Sequence, residues 1–490
     1  MSIIWRDLTD KNQKPGETKA ALAFPEWATR AAADIADQKS EPGCEAMTRV
    51  VETVCKEAPV VYRNEVANRL QDDDSAAHRW YRFVLSFPPH LVRDYLEDFG
   101  IENGKIVLDP FCGTGTTIVE CQKMGISSIG IEALPMAHFA SQVKTDWSPM
   151  PRRLLDHAKK IAEKTIAKLE ASGIQDIPFF AEQPDETEKL RRLPEDIGTL
   201  LLKGSVSPLP MHKTLVLMET IEENRDKRYY EHERLALANA LVDDISNLRF
   251  GPEIGVGKKK EDAPVVAPWL SRIQAIAEDL EHLPEVNGAS TMVHRGDARD
   301  VIELLKPNSI DAVFTSPPYP NEKDYTRTTR LETVLLGFVK DKVDLRALKK
   351  SLVRSNTRSV YKADDDDAWI ENHAEIQRIA GEIEERRIEL GKTSGFERLY
   401  HRVTKLYFGG MARHLAVLRK ALRPGAQLAY VVGDQASYLR VMIRTGQLLA
   451  DIAESLGYEV DDIDLFRTRL ATATKEQLRE EVVRLRWPGK

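Results

Sequence analysis

The fold is decided by the stretch Lys105-Ile106-Val107-Leu108-Asp109-Pro110-Phe111-Cys112-Gly113-Thr114-Gly115-Thr116-Thr117. It reads as a short apolar strand, a turn with two glycines, and the start of a helix. This order places backbone N–H groups and the positive end of a helix against an anionic ligand. Gly113 and Gly115 permit close approach of the ligand because neither carries a Cβ atom. The alternative is a plain tight turn, which the joint occurrence of all three elements disfavours.

The glycine spacing restricts the class of ligand. A dinucleotide fingerprint needs a third glycine where this chain has Ile118, and a phosphate-binding P-loop needs Gly-Lys-Ser/Thr. S-adenosylmethionine fits better, because its carboxylate can accept the loop N–H groups while an acidic residue faces its ammonium and sulfonium. Glu132 ends the next strand and can bind ribose hydroxyls, unless it is a surface carboxylate. Asp297, after a later strand, can bind an adenine amino group or cap the next helix.

A second loop follows the apolar run 310–314 and reads Thr315-Ser316-Pro317-Pro318-Tyr319-Pro320-Asn321. The prolines stiffen the loop and remove N–H donors, so the carbonyls of Ser316 and Pro317 become fixed acceptors beside the Tyr319 ring. An aromatic amine that donates two hydrogens suits such a loop, and a proline-rich structural turn is the alternative. Because ligands bind at the carboxyl ends of parallel strands, we expect both loops in one site.

The pattern outside these loops predicts one doubly wound α/β domain with large helical insertions. A helix is predicted over 396–422, ended by Arg423-Pro424-Gly425, and helices are also predicted over 25–70 after a mobile arm at 8–20. The predicted parts are an N-terminal helical arm (1–77), the first α/β part with the cofactor loop (78–146), a helical insertion (147–290), the second α/β part (291–339), a basic helical insertion (340–395) and the C-terminal α/β part (396–490).

Composition excludes several classes of protein. The chain has 490 residues and a net charge of −7, so a nucleic-acid site has to be a local basic patch. No apolar run reaches the ~20 residues of a membrane helix, and the start lacks a signal-peptide pattern. The four cysteines, Cys44, Cys55, Cys112 and Cys121, lack Cys-x-x-Cys spacing. We therefore expect no disulfide scaffold, no metal site and a cytoplasmic location.

The two loops together resemble those of the DNA amino-methyltransferases, which modify cytosine N4 or adenine N6. The resemblance covers about 78–146 and 290–490. Phe87-Pro88-Pro89-His90-Leu91-Val92 resembles the N-terminal motif that packs against the methionine part of the cofactor. Tyr430-Val431-Val432-Gly433-Asp434 resembles a later structural motif of the family. The resemblance implies a Rossmann-like, seven-stranded methyltransferase sheet with an antiparallel last strand.

The resemblance also implies roles for individual residues. Those at S-adenosylmethionine are Phe87, Asp109, Phe111, Gly113, Gly115, Thr116, Glu132 at the ribose and Asp297 at the adenine; those at the target base are Ser316, Pro317, Pro318 and Tyr319. The base is flipped out of the duplex and stacks on Tyr319. Ser316 Oγ and the Pro317 carbonyl hold the amino hydrogens for a direct displacement dominated by positioning, so Cys112 is structural. Ser316 favours cytosine N4, because adenine enzymes usually carry Asp or Asn before Pro-Pro.

Two basic segments are candidates for DNA contact. The segment 339–362 carries eight basic and two acidic residues, and Ser355-Asn356-Thr357 adds phosphate donors. Its selected residues are Lys349, Lys350, Arg354 and Arg358. The second candidate is Lys258-Lys259-Lys260 in a Gly-rich loop with Arg249, of which Arg249, Lys258 and Lys259 are selected. The alternative for either segment is a solvated face. The insertion 147–290 is assigned to target recognition on its size.

These observations predict a DNA methyltransferase whose partners are DNA and a restriction or defence protein on a separate chain, with no membrane. An RNA amino-methyltransferase is a second candidate, although no separate RNA-binding domain is evident. A catalytically inactive DNA-binding subunit is a third, and intact Gly113, Gly115, Ser316 and Tyr319 argue against it.

Overall fold

The computed structural model describes residues 70, 74–81, 86–176, 190–249, 254–285, 288–470 and 477–489. The chain divides into two units, Met1–Asn64 and Glu65–Lys490. The first unit lies outside the described residues, as do the predicted arm at 8–20 and nearly all of the predicted helices over 25–70.

A seven-stranded sheet forms the centre of this unit. Its strands are β1 (Ile106–Asp109), β2 (Ser127–Glu132), β5 (Thr291–Arg295), β6 (Ile310–Thr315), β7 (Leu422–Gly433), β8 (Glu459–Leu470) and β9 (Gln477–Trp487), and a separate pair comprises β3 (Leu248–Arg249) and β4 (Gly255–Val256). The order is β5-β2-β1-β6-β7-β9-β8, with β9 antiparallel to both of its neighbours. The predicted seven-stranded sheet with an antiparallel last strand is confirmed.

Short helices connect the strands around the first loop. Helix α1 (Pro89–Asp98) precedes β1, α2 (Thr116–Lys123) joins β1 to β2, and α3 (Pro135–Lys144) follows β2. Helices α1 and α3 each begin with proline, whose missing N–H costs nothing in the first helical turn. The apolar spacing and the terminal signals predict helices over Thr116–Met124 and Pro135–Val143, and both end within one residue of the observed bounds.

The first insertion is helical and leaves and re-enters the sheet between neighbouring parallel strands, β2 and β5. Its helices are α4 (Pro151–Ala171), α5 (Glu195–Gly198), α6 (Pro208–Glu223), α7 (Tyr230–Ala240), the π-helical turn Leu241–Ile245 and α8 (Val266–His282). Trp269 and Leu235 in these helices share one apolar core with Trp80 and Met136. The insertion therefore packs directly on the helices around the first loop.

The second insertion and the C-terminal part contain the remaining helices. The helices are α9 (Tyr325–Thr328), α10 (Arg330–Leu335), α11 (Lys342–Lys350), α12 (Ala374–Glu389), α13 (Tyr400–Leu418) and α14 (Thr445–Ser455), and 3-10 turns occur at His78–Trp80, Ala298–Glu303, Thr357–Ser359, Asp366–Ile370 and Glu397–Leu399. No helix among the described residues is long and apolar enough to cross a membrane.

The predicted helix over 396–422 is present but shorter, and the predicted stop at 423–425 is wrong. Helix α13 ends at Leu418, and Leu422 already pairs with Ile310 in the sheet. Pro424 is tolerated inside β7 because the pairing with β6 shifts register between Ile310 and Ala312. Strand pairing across the sheet therefore overrides the local turn signal.

Candidate active site

The two loops lie at the carboxyl ends of adjacent parallel strands, as predicted. Strand β1 pairs with β6, with Val107 opposite Ala312. The Thr315 hydroxyl donates to Asp109 Oδ1 at 2.6 Å, and the Thr117 hydroxyl donates to the Phe314 carbonyl at 3.2 Å. The first loop and the Ser-Pro-Pro-Tyr loop are thus tied together by direct hydrogen bonds.

Asp109 is the buried carboxylate at the centre of this junction. Its Oδ1 also accepts from the Phe111 N–H at 3.1 Å, while its buried Oδ2 has no hydrogen-bond partner among the described residues. Burial raises the pKa of Asp109 to about 6, against the hydrogen bonds from Thr315 and the Phe111 N–H. An orphaned buried carboxylate oxygen is costly, so this atom is suited to a donor or cation supplied by a ligand.

Glu132 clamps the glycine turn from the end of β2. Its Oε2 accepts from the Gly113 N–H at 2.8 Å, and its Oε1 accepts from the Leu134 N–H at 2.7 Å. Burial raises the pKa of Glu132 to about 7, although both backbone donors oppose the shift. Each carboxylate oxygen retains a second lone pair, so Glu132 can still accept a ribose hydroxyl while it shapes the loop.

The two glycines of the turn serve different purposes. Both have a positive φ, +53° at Gly113 and +88° at Gly115. A Cβ at Gly113 would meet nothing within 4 Å, whereas one at Gly115 would lie 3.0 Å from Ser141 Cβ. The expectation that a ligand approaches Gly115 therefore needs correction: its missing side chain makes room for α3. Gly113 is the glycine that leaves open space at the loop.

A cleft beside the loop brings together two of the predicted cofactor residues. It is a small cleft, partly open to solvent, and is lined by Leu70, His78, Ser86, Phe87, Pro89, Thr114, Thr116 and Lys144. Phe87 also packs edge-on against Phe314 of β6, with ring centroids 5.4 Å apart. Phe87 and Thr116 thus line the same cleft. His78 and Lys144 were not selected from the sequence, because neither belongs to a motif.

Two other predicted cofactor residues have structural partners. The Phe111 ring packs against His414 at 5.0 Å between centroids. Asp297 caps the turn Ala298–Glu303 by accepting from the Arg299 N–H at 2.9 Å, and it also pairs with the Arg299 guanidinium at 2.6 Å. The capping role that the sequence offered as the alternative is therefore present, and an adenine contact at Asp297 stays a prediction.

The Ser-Pro-Pro-Tyr loop is fixed by the end of β7. The Ser316 hydroxyl donates to the Val431 carbonyl at 3.0 Å, which leaves its oxygen lone pairs as acceptors. The Tyr319 ring lies on Gly433, where a Cβ would be 3.0 Å from the ring, and its N–H donates to the Tyr325 hydroxyl at 3.3 Å. Pro317 is buried and Pro318 half-buried. Burial raises the pKa of the Tyr319 phenol, Glu480 raises it further, and the nearby Ser316 hydroxyl opposes this.

The basic segment 339–362 is largely committed to internal contacts. Arg354 is buried and forms two 2.9 Å bonds to Asp364, so its selection as a DNA-contacting residue is wrong. Lys349 pairs with Asp324 at 2.8 Å and is 15% exposed. Lys350 and Arg358 are exposed. The count of charged residues over 339–362 does not include these two carboxylates, because Asp324 precedes the segment and Asp364 lies just beyond it.

The polar triplet in the same segment is also not a phosphate site. Ser355, Asn356 and Thr357 are buried, and Thr357 donates its N–H and hydroxyl to Glu322 at 3.0 and 3.1 Å. By contrast, Arg249, Lys258 and Lys259 in the first insertion are exposed. Lys259 pairs with Glu261 at 2.9 Å. No group of three or more His, Cys, Asp or Glu side chains in the described part of the chain could hold a metal ion.

A set of arginines that the sequence analysis did not select borders Tyr319. We call it the arginine rim: Arg444, Arg467, Arg469 and Arg479, whose side chains are 36–44% exposed. They pair with the buried Asp434 and Glu480, and a Cβ at Gly433 would contact both Glu480 and the Tyr319 ring. Arginines two residues apart on a strand, such as Arg467 and Arg469, were the available signal, because they share one face.

Comparison with known proteins agrees with this geometry. A family model described as DNA methylase matches residues 10–140. The Type II methyltransferase M.BsoBI of Geobacillus stearothermophilus is 27% identical over 440 residues, which cover 85% of each chain. M.AvaI of Nostoc sp., also a Type II methyltransferase, is 24% identical and covers 81% of this chain and 82% of its own. M.MjaII of Methanocaldococcus jannaschii is 41% identical, over 51% of this chain and 60% of its own.

The residues present also fit the cofactor. Asp109 Oδ2 offers an unsatisfied buried acceptor, Gly113 offers open space and a clamped backbone, and the cleft beside Thr116 offers a cationic lysine. These features and the two diagnostic loops occur in one sheet of the expected topology. These similarities and the site geometry indicate an S-adenosylmethionine-dependent methyltransferase that resembles the DNA amino-methyltransferases, whose members methylate cytosine N4 or adenine N6.

Proposed function

We propose that the protein methylates the N4 amino group of cytosine in DNA. The observation that carries the proposal is the Ser316 hydroxyl, which donates its hydrogen to Val431 and so presents acceptor lone pairs beside the Tyr319 ring. An exocyclic amine needs acceptors, and a flipped base needs a flat surface. The link from Asp109 to Thr315 supports action of this loop and the cofactor loop as one site.

Each residue of the loop has a defined task in this proposal. Ser316 Oγ and the Pro317 carbonyl accept the two amino hydrogens and fix the orientation of the nitrogen. Tyr319 stacks on the base with the ring position set by Gly433, and the prolines keep competing N–H donors out of the loop. The cofactor supplies an electrophilic methyl group. Positioning then accounts for most of the rate, as in other reactions between well-oriented groups.

The choice of cytosine over adenine rests on residue 316. A serine is a neutral acceptor, whereas the Asp or Asn usual in adenine enzymes is ionised or carries an amide at the same place. The Val431 carbonyl accepts the only hydrogen of the Ser316 hydroxyl, so Ser316 Oγ can act toward the base only as an acceptor. Adenine N6 is the competing outcome of the experiment below.

The identity of the methylated base is tested directly. The protein is incubated with unmethylated duplex DNA and labelled S-adenosylmethionine, and the DNA is digested to nucleosides for mass spectrometry. We expect N4-methyldeoxycytidine. N6-methyldeoxyadenosine would overturn the cytosine assignment alone, whereas label in RNA or in no nucleic acid would overturn the proposed function. Ser316→Ala protein is the matched control for a contaminating methyltransferase.

DNA contact is proposed at the arginine rim and at the exposed members of the basic segments. Arg444→Ala with Arg469→Ala leaves Arg479 on Asp434 and Arg467 on Glu480, so no buried acid loses every partner. Lys350→Ala with Arg358→Ala is the matched pair on the other surface. Each pair should reduce the log–log salt slope of duplex binding by about 1.8, at about 0.9 per phosphate contact. An unchanged slope removes that surface from the interface.

The insertion 147–290 remains our proposed target-recognition region, with Arg249, Lys258 and Lys259 as its exposed basic residues. A restriction or defence protein on a separate chain is the proposed partner, and the Type II designation of the relatives supports it. If the insertion contacts DNA through these lysines, Lys258→Ala with Lys259→Ala should weaken binding to cognate and non-cognate DNA equally, because lysine contacts to phosphates do not read sequence.

A further inference from the structure

We propose that Lys323 binds a backbone phosphate of the flipped nucleotide, together with Arg467 and Arg469 of the arginine rim. The inference rests on the proposed function and deepens it, because it assigns the phosphate beside the reacting base to named residues. It is independent of which base is methylated. Lys323 follows Tyr319 by four residues but belongs to neither loop motif and to neither basic segment.

The backbone at Lys323 is fixed by the polar triplet Ser355-Asn356-Thr357, which the sequence suggested as a phosphate site. The Glu322 N–H donates to the Ser355 carbonyl at 3.2 Å, and the Asn356 amide donates to the Lys323 carbonyl at 3.1 Å. Thr357 holds the Glu322 carboxylate through its N–H and its hydroxyl. Glu322 has a φ of +66°, a conformation that residues other than glycine rarely adopt. The triplet thus holds this turn, and Lys323 with it, in one place.

The same turn is tied directly to the Ser-Pro-Pro-Tyr loop. The Tyr319 N–H donates to the hydroxyl of Tyr325, the first residue of α9. Asp324 caps this helix and pairs with Lys349 at 2.8 Å. The acid that is adjacent to Lys323 in sequence is therefore committed to another lysine.

The ammonium of Lys323 has no hydrogen bond or ion pair with any described residue, although the residue is half-buried. Burial lowers the pKa of Lys323, the charge of Arg469 lowers it further, and the charge of Glu480 opposes the shift. Two cations that lie close together repel each other, and an anion between them stabilises both. The surroundings of Lys323 therefore favour a negatively charged ligand.

The arginines around Glu480 retain donors for the same ligand. Arg467 donates to Glu480 from Nε, and the Nε of Arg469 lies 3.7 Å from the other carboxylate oxygen. The terminal nitrogens of both guanidinium groups donate no hydrogen bond to any residue that the structure describes. Lys323, Arg467 and Arg469 thus share one carboxylate. A phosphodiester supplies a further negative charge and accepts from lysine and arginine donors alike.

This cationic group borders the surface proposed for the base. A Cβ at Gly433 would lie 3.0 Å from the Tyr319 ring and 3.3 Å from Glu480 Cγ, so the ring and the carboxylate side chain are neighbours. A nucleotide that leaves the duplex rotates about its backbone, which brings its own phosphates to the edge of the base site. A fixed lysine at this edge stabilises the extruded backbone and reads no sequence.

Neutral backbone linkages test the proposal. Once the methylated position has been mapped, the phosphates on either side of the target nucleotide are replaced, one at a time, by uncharged methylphosphonates. Wild-type protein should lose about tenfold or more in kcat/KM at one of these linkages, the range for a hydrogen bond to a charged group. Lys323→Met should lose a similar factor on natural DNA, and its response to the same linkage should shrink to less than about threefold.

Two further variants serve as controls. Lys323→Arg keeps the charge and should retain most of the response to the neutral linkage. Lys306→Met removes an exposed lysine that precedes β6, at the opposite edge of the sheet from the Ser-Pro-Pro-Tyr loop. It should keep the kinetics of wild-type protein on natural DNA and the full response to the neutral linkage.

The outcomes separate this inference from the proposed function. Equal kinetics of wild-type protein on natural DNA and on both neutral linkages overturn the inference even if Lys323→Met fails to fold. A full response in folded Lys323→Met also overturns it, because another residue then holds the phosphate. Wild-type protein that methylates no DNA overturns the proposed function and the inference with it, whereas DNA methylation that ignores the neutral linkages overturns the inference alone.

Discussion

The two loops of the site lie on neighbouring strands but are built on opposite principles. The loop after β1 is clamped: Glu132 accepts from Gly113 and Leu134, and Asp109 accepts from Phe111. The loop after β6 has few N–H donors, and its Ser316 is held by the Val431 carbonyl. The loop after β1 therefore suits a ligand that carries ionic groups, and the loop after β6 suits an amine. Changes to the first should alter cofactor binding, and changes to the second should alter rate.

The largest effect is expected at Ser316. Ser316→Ala removes one acceptor of the amine and its bond to Val431, but leaves the first loop intact. Turnover should fall by about a hundredfold or more, as for loss of one positioned transition-state contact. Cofactor affinity by calorimetry should stay within about twofold, an effect below ~0.5 kcal/mol. A parallel loss of cofactor affinity would contradict the division of labour between the loops.

Tyr319 sharpens the assignment within the second loop. Tyr319→Ala removes the stacking surface and should lower kcat/KM by roughly 1–3 kcal/mol in transition-state free energy, the range for one stacked base. Tyr319→Phe keeps the ring on Gly433 and should be mild. Steady-state kinetics on one DNA substrate measures both. If Tyr319→Phe is as inactive as Tyr319→Ala, the buried hydroxyl of Tyr319 next to Ser316 matters more than the ring.

Glu132→Gln tests the first loop. One terminal atom of the glutamine becomes an NH2 donor, which would face either the Gly113 or the Leu134 N–H. Cofactor affinity should fall by about 1–3 kcal/mol, because a backbone donor loses its acceptor. The rate with saturating cofactor should change little. A fall in rate at unchanged affinity would contradict the proposed role.

The smallest expected effects are changes in the free energy of unfolding when the two glycines are replaced. Gly115→Ala combines a positive φ with crowding against Ser141 and should cost about 1–3 kcal/mol of stability in denaturant unfolding. Gly113→Ala meets open space and should cost about 1–2 kcal/mol from its backbone conformation alone. An equal cost at both positions would contradict the packing explanation for Gly115. Cofactor affinity should respond more to the change at Gly113.

Both loops were predictable because their signals are local, whereas the seven-stranded sheet followed from the resemblance. Strand, glycine turn and helix follow one another in sequence, and β2 ends at Glu132, where the sequence predicts the end of a strand. Arg354 was misread because its partner Asp364 becomes visible only when the chain folds back. His78, Lys144 and the arginine rim were missed for the same reason, since each depends on contacts between distant segments.

The hydrogen bond between Asp109 and Thr315 joins residues 206 positions apart, and Val431 follows Ser316 by another 115. Contacts this distant in sequence form slowly, because chain entropy has to be lost before they stabilise anything. At about 5–20 residues per second, roughly 15–65 s of synthesis separate Asp109 from Val431. A growing chain thus presents its glycine turn long before a partner loop exists. Methylation begins only when the far end of the sheet has been made.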